Sequence, residues 1–381
     1  MLPRMLITMI LCLLAADPSG ADSAVRARDL GIPFDGTPGP LNAITDVPGV
    51  EVGYATLVSG SAAEDGPVIR TGVTMVLPRG KSPDPYRAAW FTLNGDGELT
   101  GLPYVQDFGA GYGPIGITNI NSVGVVRDAI GQWCQARFGS DDWHDFAFGL
   151  PIVGETWDGM LSDIQGLHVT PQHVHHALDT AAGGEVAEGN VGGGTGNGLY
   201  GFKGGSGTAS RQFAIGEATY TLGVFVQANF GGRSELVIAG VPVGREITDL
   251  KPELGHRARR DGSLIAIAVT DAPLLPGQLE LVARRITHGV ARTGTYSHHS
   301  SGEIFLAAST APIESGAEGH EIWHAVTKRG LDPVFKATVE ATEEAIINVL
   351  IAAETMTGIH GHRLHALPHD RLREVMKAHG R

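Results

Sequence analysis

The sequence predicts a layered α/β (α+β) fold, and three observations lead there. Short runs rich in Val, Ile, Phe and Thr recur at 72–77, 114–118, 221–229, 264–270 and 303–308, as β-strands do. Stretches with apolar residues at helical spacing alternate with them. Glycine reaches 54 of 381 residues and falls in clusters, the mark of tight loops where backbone approaches backbone or ligand. Mixed strands and helices bury their apolar faces by stacking in layers. The length allows one large domain or two.

The first 21 residues read as an export signal. Arg4 gives a positive start, 5–16 is an apolar stretch short for a bilayer span, and Ser19-Gly20-Ala21 offers small residues to a signal peptidase. Removal of 1–21 would take Cys12 and leave Cys134 alone, so the mature chain has no internal disulfide. Cys134 is expected to act as a small packed hydrophobe. No later segment is apolar enough to cross a membrane, so a soluble periplasmic or secreted protein with no membrane partner is expected. The formal charge of −13 repels phosphate backbones and argues against a nucleic-acid partner.

Further along, Thr170-Pro171 suits an N-cap and N1 pair opening a helix to residue 181. Leu279, Val282, Ala283, Ile286 and Val290 mark a second helix. A third is expected over 335–357, with Gly358 as its C′ residue. Between them, 243–262 turns polar, with Lys251, Arg257, Arg259, Arg260 and Asp261, and reads as an exposed loop. A buried-looking strand begins abruptly after it, and Ser263 stands at the junction.

Asp261-Gly262-Ser263 has a chemical reading. A hydroxyl directly before a core strand has a rigid platform. Attack of Ser263 Oγ on the Gly262 carbonyl would shift the acyl group from N to O, and hydrolysis of that ester would free an N-terminal serine. Its α-amine, with an ordinary pKa of roughly 7.7–8.0, can act as base for its own hydroxyl. The dipeptide alone is a very weak signal and reads first as an ordinary turn serine.

The surrounding motifs are more specific. Asn190-Val-Gly-Gly-Gly-Thr-Gly196, Gly201-Phe-Lys-Gly-Gly205, Gly207-Thr-Ala-Ser-Arg211, Val226-Gln-Ala-Asn-Phe-Gly231, Thr270-Asp-Ala-Pro273 and Ser301-Gly-Glu303 follow in one order. Leu41-Asn-Ala-Ile-Thr-Asp-Val-Pro-Gly49 and Ser122-Val-Gly-Val-Val-Arg-Asp128 precede them. Together they resemble the D-aminopeptidase/D-esterase family of self-processing N-terminal-serine peptidases, from about Arg26 to the C-terminus. That family holds the L-aminopeptidase/D-Ala-esterase/amidases, the branch this sequence looks most like, and the β-peptidyl aminopeptidases.

The resemblance implies an αββα four-layer sandwich, with layers like those of the Ntn hydrolases but distinct connectivity. It implies a single hydrolase domain over 22–381, cut between Gly262 and Ser263 into chains 22–262 and 263–381, and a homotetramer of such pairs. It implies hydrolysis of small peptides, amides or esters with no cofactor and no metal. Ser263 matches the nucleophile, Asn229 the amide of the oxyanion hole, and Ser301 and Glu303 a serine and an acid that assist the nucleophile. Glu155 matches an acid that engages the substrate's amine. Trp157 departs from the branch, which has Tyr there. Indole has a donor N–H but no hydroxyl, so Trp157 is assigned to pocket shape.

Other signals carry less. Gly196-Asn-Gly-Leu-Tyr-Gly201 fits a dinucleotide-binding pattern but follows no clear strand, and Lys203 lacks the Ser or Thr that a P-loop places after its lysine. His173, His176, His298, His299, His360, His362 and His365 match no metal-ligand spacing and read as surface histidines. Two other functions remain open. One is an acyltransferase of the ornithine acetyltransferase type, whose nucleophile is usually Thr. The other is a non-enzymatic exported binding protein.

Overall fold

A computed structural model of the chain describes residues 25–140, 150–254 and 262–381. The expected signal segment and most of the basic part of the 243–262 loop lie outside the described residues. The strands are β1 Glu51–Ser59, β2 Ile69–Leu77, β3 Tyr86–Gly95, β4 Ala110–Gly111, β5 Ile115–Asn119, β6 Ile152–Thr156, β7 Gly198–Leu199, β8 Phe202–Lys203, β9 Gly205–Ile215, β10 Ala218–Asn229, β11 Gly262–Thr270 and β12 Ser301–Ser309. The main helices are α1 Leu102–Phe108, α2 Val123–Phe138, α3 Pro171–Asp179, α4 Val243–Glu246, α5 Pro276–Arg292, α6 Leu331–Ala352 and α7 His369–Ala378.

One sheet runs β1-β2-β5-β6 and the other β4-β3-β12-β11-β10-β9. Strand β11 shows how they stack. Its even residues Leu264, Ala266 and Ala268 pack with Leu279, Val282 and Ile286 of α5 and with Ala345 and Val349 of α6. Its odd residues Ile265, Ile267 and Val269 pack against Val76, Ile117 and Ile152 of the other sheet. A strand buried on both faces reads as a continuous apolar run, as 264–270 does. The four-stranded sheet turns Val73, Met75 and Val153 outward onto α2 and α3. The result is the αββα order. Cys134 lies in that last core, where burial pushes its thiol up to about 12 and keeps it a hydrophobe.

The expected strands are present: four extend beyond their apolar runs, and β5 keeps the expected length but sits one residue later than 114–118. Helix α5 shows the expected buried stripe and begins at a proline, where a missing N–H costs nothing. The last long helix differs. It starts four residues before 335 and ends at Ala352, where Ala353 turns to extended backbone. Met356–Thr357 instead pairs with Arg363–Leu364, and Gly358 is extended, so it caps no helix. Strand pairing outweighed local helix propensity there. The start of the 243–262 segment is less exposed than an open loop, since Val243 and Ile247 are fully buried there.

Candidate active site

Gly262 and Ser263 are the first two residues of β11, a central strand held on both sides. On one side β10 runs antiparallel and sets Asn229 opposite Ser263. On the other β12 runs parallel and sets Ser301 beside Gly262 and Gly302 beside Ser263. Three of the expected site residues thus meet through register alone, although they are far apart in sequence. Strand alternation then sorts them. Ser263 has the parity of Ile265 and faces the four-stranded sheet, while Ser301 and Glu303 have the parity of Phe305 and face the helices.

Ser263 is nearly fully buried. Its Oγ accepts a hydrogen bond from the main-chain N–H of Trp157 at 3.1 Å. Asn229 is clamped from both ends: its Nδ2 donates to the Trp157 carbonyl at 2.9 Å, and its Oδ1 accepts from the Gly198 N–H at 2.8 Å. Those two partners, one acceptor and one donor, fix which end of the amide is which. The Trp157 indole is half-buried over Gly159, so it is the backbone of this residue that reaches Ser263.

On the helix side, Ser301 Oγ donates to Glu303 Oε1 at 3.1 Å, and Asn94 Nδ2 donates to Glu303 Oε2 at 3.0 Å. Burial raises the Glu303 carboxyl above its ordinary pKa, and hydrogen bonds from Ser297, Ser301 and Asn94 oppose this. Ser301 Oγ also abuts Gly262, because a Cβ there would lie 2.9 Å from it. A side chain at 262 would have to displace the Ser301 hydroxyl.

Glu155 lies at the edge of β6, 2 % exposed, with Oε1 accepting the Glu98 N–H at 3.0 Å. Burial pushes its carboxyl up to about 7, opposed by that hydrogen bond and reinforced by the charges of Glu98, Asp96 and Asp158. The turn at 96–98 wedges between Glu155 and β12. Gly302 permits this, since a Cβ at 302 would meet the Asp96 carbonyl at 2.3 Å.

A cavity of about 370 Å³ opens on the Gly262 side. Asn229, Gly262, Ser301 and Glu303 line it, while Ser263, Glu155 and Trp157 do not. His298 also lines it, with Nε2 2.8 Å from Glu235 Oε1. Sequence reasoning placed this histidine on the surface. Only its position three residues before Ser301 could have raised it. The other histidines serve elsewhere: His173 Nδ1 accepts the Thr170 N–H at the start of α3, and His362 contacts the Met160 carbonyl. The 196–201 glycines lead into the β7–β8 hairpin, with no helix to form a dinucleotide site.

A serine heading a central strand of an αββα sandwich, with an amide and an acid–serine pair at its flanks, defines an aminopeptidase of the N-terminal-nucleophile hydrolase type. The chain belongs to peptidase family S58, whose profile matches residues 42–364. It is 48% identical over 382 residues to a β-peptidyl aminopeptidase of Sphingosinicella microcystinivorans, covering 95% of each chain. The corresponding enzyme of Sphingosinicella xenopeptidilytica is 44% identical over 98% of this chain and 96% of its own. Among solved structures, the L-aminopeptidase D-Ala-esterase/amidase of Ochrobactrum anthropi, described as a variant of the Ntn hydrolase fold, superposes with a TM-score of 0.87. It is 42% identical and covers 93% of this chain and 99% of its own. A Burkholderia sp. β-aminopeptidase gives 0.83 at 41% identity, over 94% and 99%.

Proposed function

We propose that this chain is a self-processing serine aminopeptidase that releases N-terminal residues, β-amino acids foremost, from short peptides, amides or esters. The observation that carries this is the placement of Ser263: its Oγ is held by Trp157 N–H, directly across from the Asn229 amide and beside Gly302. The β-residue preference rests on the 48% and 44% identity to β-peptidyl aminopeptidases. L-aminoacyl amides and D-Ala esters are the second reading, on the likeness to the Ochrobactrum enzyme.

Activation begins with attack of Ser263 Oγ on the Gly262 carbonyl. The Gly262–Ser263 C–N bond breaks, the departing nitrogen takes up the proton that Oγ gives up, and an ester links Gly262 to Oγ. Water hydrolyses that ester, leaving chains 22–262 and 263–381. In turnover the freed α-amine takes the Oγ proton as Oγ attacks the substrate carbonyl. The Asn229 amide stabilises the oxyanion, which exists only at the tetrahedral stage. The leaving amine takes up the proton, and water then releases the acyl group. Ser301 and Glu303, held together beside Gly262, stabilise the cationic serine terminus once it forms. Glu155 pairs with the substrate's ammonium group. Trp157 shapes the substrate pocket with its indole.

The reading includes export after cleavage near Ala21 and assembly of the cut chains as a homotetramer. Purified wild type should give two bands on a denaturing gel, with N-termini near Asp22 and at Ser263. Ser263→Ala should give one full-length band and no turnover of a chromogenic β-aminoacyl amide. An active wild type that runs as one uncut chain overturns the proposal. Adding an amine acceptor tests the acyltransferase alternative, because an acyl-enzyme is open to either nucleophile.

A further inference from the structure

Lys203, on β8, is among the largest fully buried side chains of the protein. Its ammonium donates to two main-chain carbonyls, Asn197 at 2.9 Å and Gly204 at 2.7 Å. A buried lysine usually has an acid in contact. Among the described residues, no carboxylate makes an ion pair with this one. Asp158 is the acid whose charge it feels, also fully buried. The carboxyl oxygens of Asp158 make no hydrogen bond of good geometry among the described residues, although Thr71 and Asn119 stand close enough to favour its charge. Burial drives the two groups toward each other, lowering Lys203 to about 7 and raising Asp158 to about 7.

The position of these two residues gives them a use. The carbonyl of Asn197 and the N–H of Gly198 belong to one peptide unit. Lys203 Nζ donates to its oxygen, and its N–H donates to Asn229 Oδ1. The chain of contacts is therefore Lys203 ammonium, Asn197–Gly198 peptide, Asn229 amide, with Asn229 Nδ2 at the far end. A donor at the oxygen of a peptide makes its N–H a stronger donor, most of all when that donor is charged, and hydrogen bonds in series polarise one another in a low-dielectric interior. On the other side, Asp158 follows Trp157, whose carbonyl receives Asn229 Nδ2 and whose N–H reaches Ser263 Oγ. The lysine and its counter-charge thus brace the two backbone segments that clamp one amide.

We propose that Lys203 is a positioning residue for the Asn229 amide, acting through the Asn197–Gly198 peptide, with Asp158 as its buried counter-charge. This rests on the reading of Asn229 as the oxyanion donor. A fixed, polarised amide gains most when charge develops on the bound oxygen, so the effect belongs to the transition state and should appear in kcat rather than KM.

The test is a double-mutant cycle between Lys203→Met and Asn229→Ala, each examined for self-cleavage and then, when cut, for kcat and KM on a chromogenic β-aminoacyl amide. Methionine, one atom shorter, fills most of the space of lysine without its charge, and because removing one member of a buried charge pair destabilises a fold, folding of the variant is checked first. Lys203→Met should lower kcat roughly 10-fold or more, but less than the ~10²–10³-fold expected for loss of the donor itself, with KM within about twofold. That loss should vanish when Asn229 is already alanine, because the lysine then has nothing to act through. An equal loss in both backgrounds would overturn the proposal and leave a general packing role. Should Lys203→Met fail to fold, Asp158→Asn takes its place. It removes the counter-charge, favours neutral Lys203, and should show the same dependence on Asn229. If both substitutions leave the chain uncut while Asn229→Ala is cut, the proposal also fails, since a residue acting through Asn229 cannot matter more than Asn229 does. A cut Asn229→Ala enzyme with wild-type kcat refutes the Asn229 reading itself, whatever Lys203→Met does.

Discussion

The main-chain N–H of Trp157 donates to Ser263 Oγ at 3.1 Å. The position where the related esterase branch has a tyrosine thus meets Ser263 through its backbone, a contact that any residue but proline can make at 157. Trp157→Phe should therefore keep self-cleavage and hold kcat within about tenfold, with the larger change in KM as the pocket wall is reshaped. A gel and a Michaelis curve suffice to check this. A variant that stayed uncut would show that the indole itself is needed.

If Glu155 binds the substrate's amine as proposed, its buried carboxyl should set a pH limb. Burial pushes it to about 7, so it is neutral below that pH and ionised above it. Only the ionised form attracts a substrate ammonium, so kcat/KM should fall as pH drops below about 7. Glu155→Gln should remove that limb and raise KM by about tenfold or more at pH 8. The sign for stability is opposite. A folded-state pKa above the ordinary carboxyl value means that the free protein gains from the protonated form, and this is lost as pH rises through about 7. Glu155→Gln should accordingly raise Tm at pH 8 while lowering activity. Equal rates on N-acetylated and free substrates would remove the amine-binding role altogether.

The strands that carry the site were legible because each is buried on one or both faces, and burial writes itself into composition. Strand β11 reads as a strand from Leu264-Ile-Ala-Ile-Ala-Val269 alone, and the abrupt change at Ser263 marks its start. Resemblance to a known family supplied the αββα order and drew Asn229, Ser301 and Glu303 to the same site. What could not be read was contact made by backbone or through register. Nothing in the side chain of Trp157 announces that its N–H reaches Ser263. Lys203 looked like a failed phosphate-loop lysine, because its partners are carbonyls that no side-chain motif encodes. His298 is partly exposed, as a surface histidine is, and its place on the cavity wall is hidden because its partner Glu235 is 63 residues away. The end of α6 was misjudged for the same reason: the pairing of Met356–Thr357 with Arg363–Leu364 is tertiary, while helix propensity is local.

Gly302 offers a test of how closely the two sides of the site depend on each other. Its backbone faces the Asp96 carbonyl so closely that a Cβ would lie 2.3 Å away, and a main-chain atom cannot swing aside. Gly302→Ala should push back the 96–98 turn, which delivers the Glu98 N–H to Glu155. Overpacking of this kind costs about 1–3 kcal/mol, so the urea midpoint should fall by the corresponding amount. KM should rise as well, because Glu155 loses its orienting donor. An unchanged KM with lowered stability would separate the turn from substrate binding.

Asn229 carries the sharpest prediction. Its amide is held by the Gly198 N–H at one end and the Trp157 carbonyl at the other, opposite Ser263 on the neighbouring strand. A donor held this way needs no reorganisation when an oxyanion forms, so Asn229→Ala should lower kcat by roughly 10²–10³-fold and change KM little. Self-cleavage passes through an oxyanion too, on the Gly262 carbonyl, and a gel must come first. An uncut variant keeps Ser263 inside a peptide bond, and its inactivity then reports on processing rather than turnover. A cut variant isolates the chemical step. Asn229→Asp sharpens the comparison, because it preserves the acceptor for Gly198 while replacing the donor with an acceptor. An ionised aspartate would also repel the oxyanion, so its kcat should fall below that of the alanine variant. If cut Asn229→Ala turns over near the wild-type rate, the oxyanion must be held by main-chain N–H groups, and the one already resting on Ser263 Oγ, that of Trp157, becomes the first to examine.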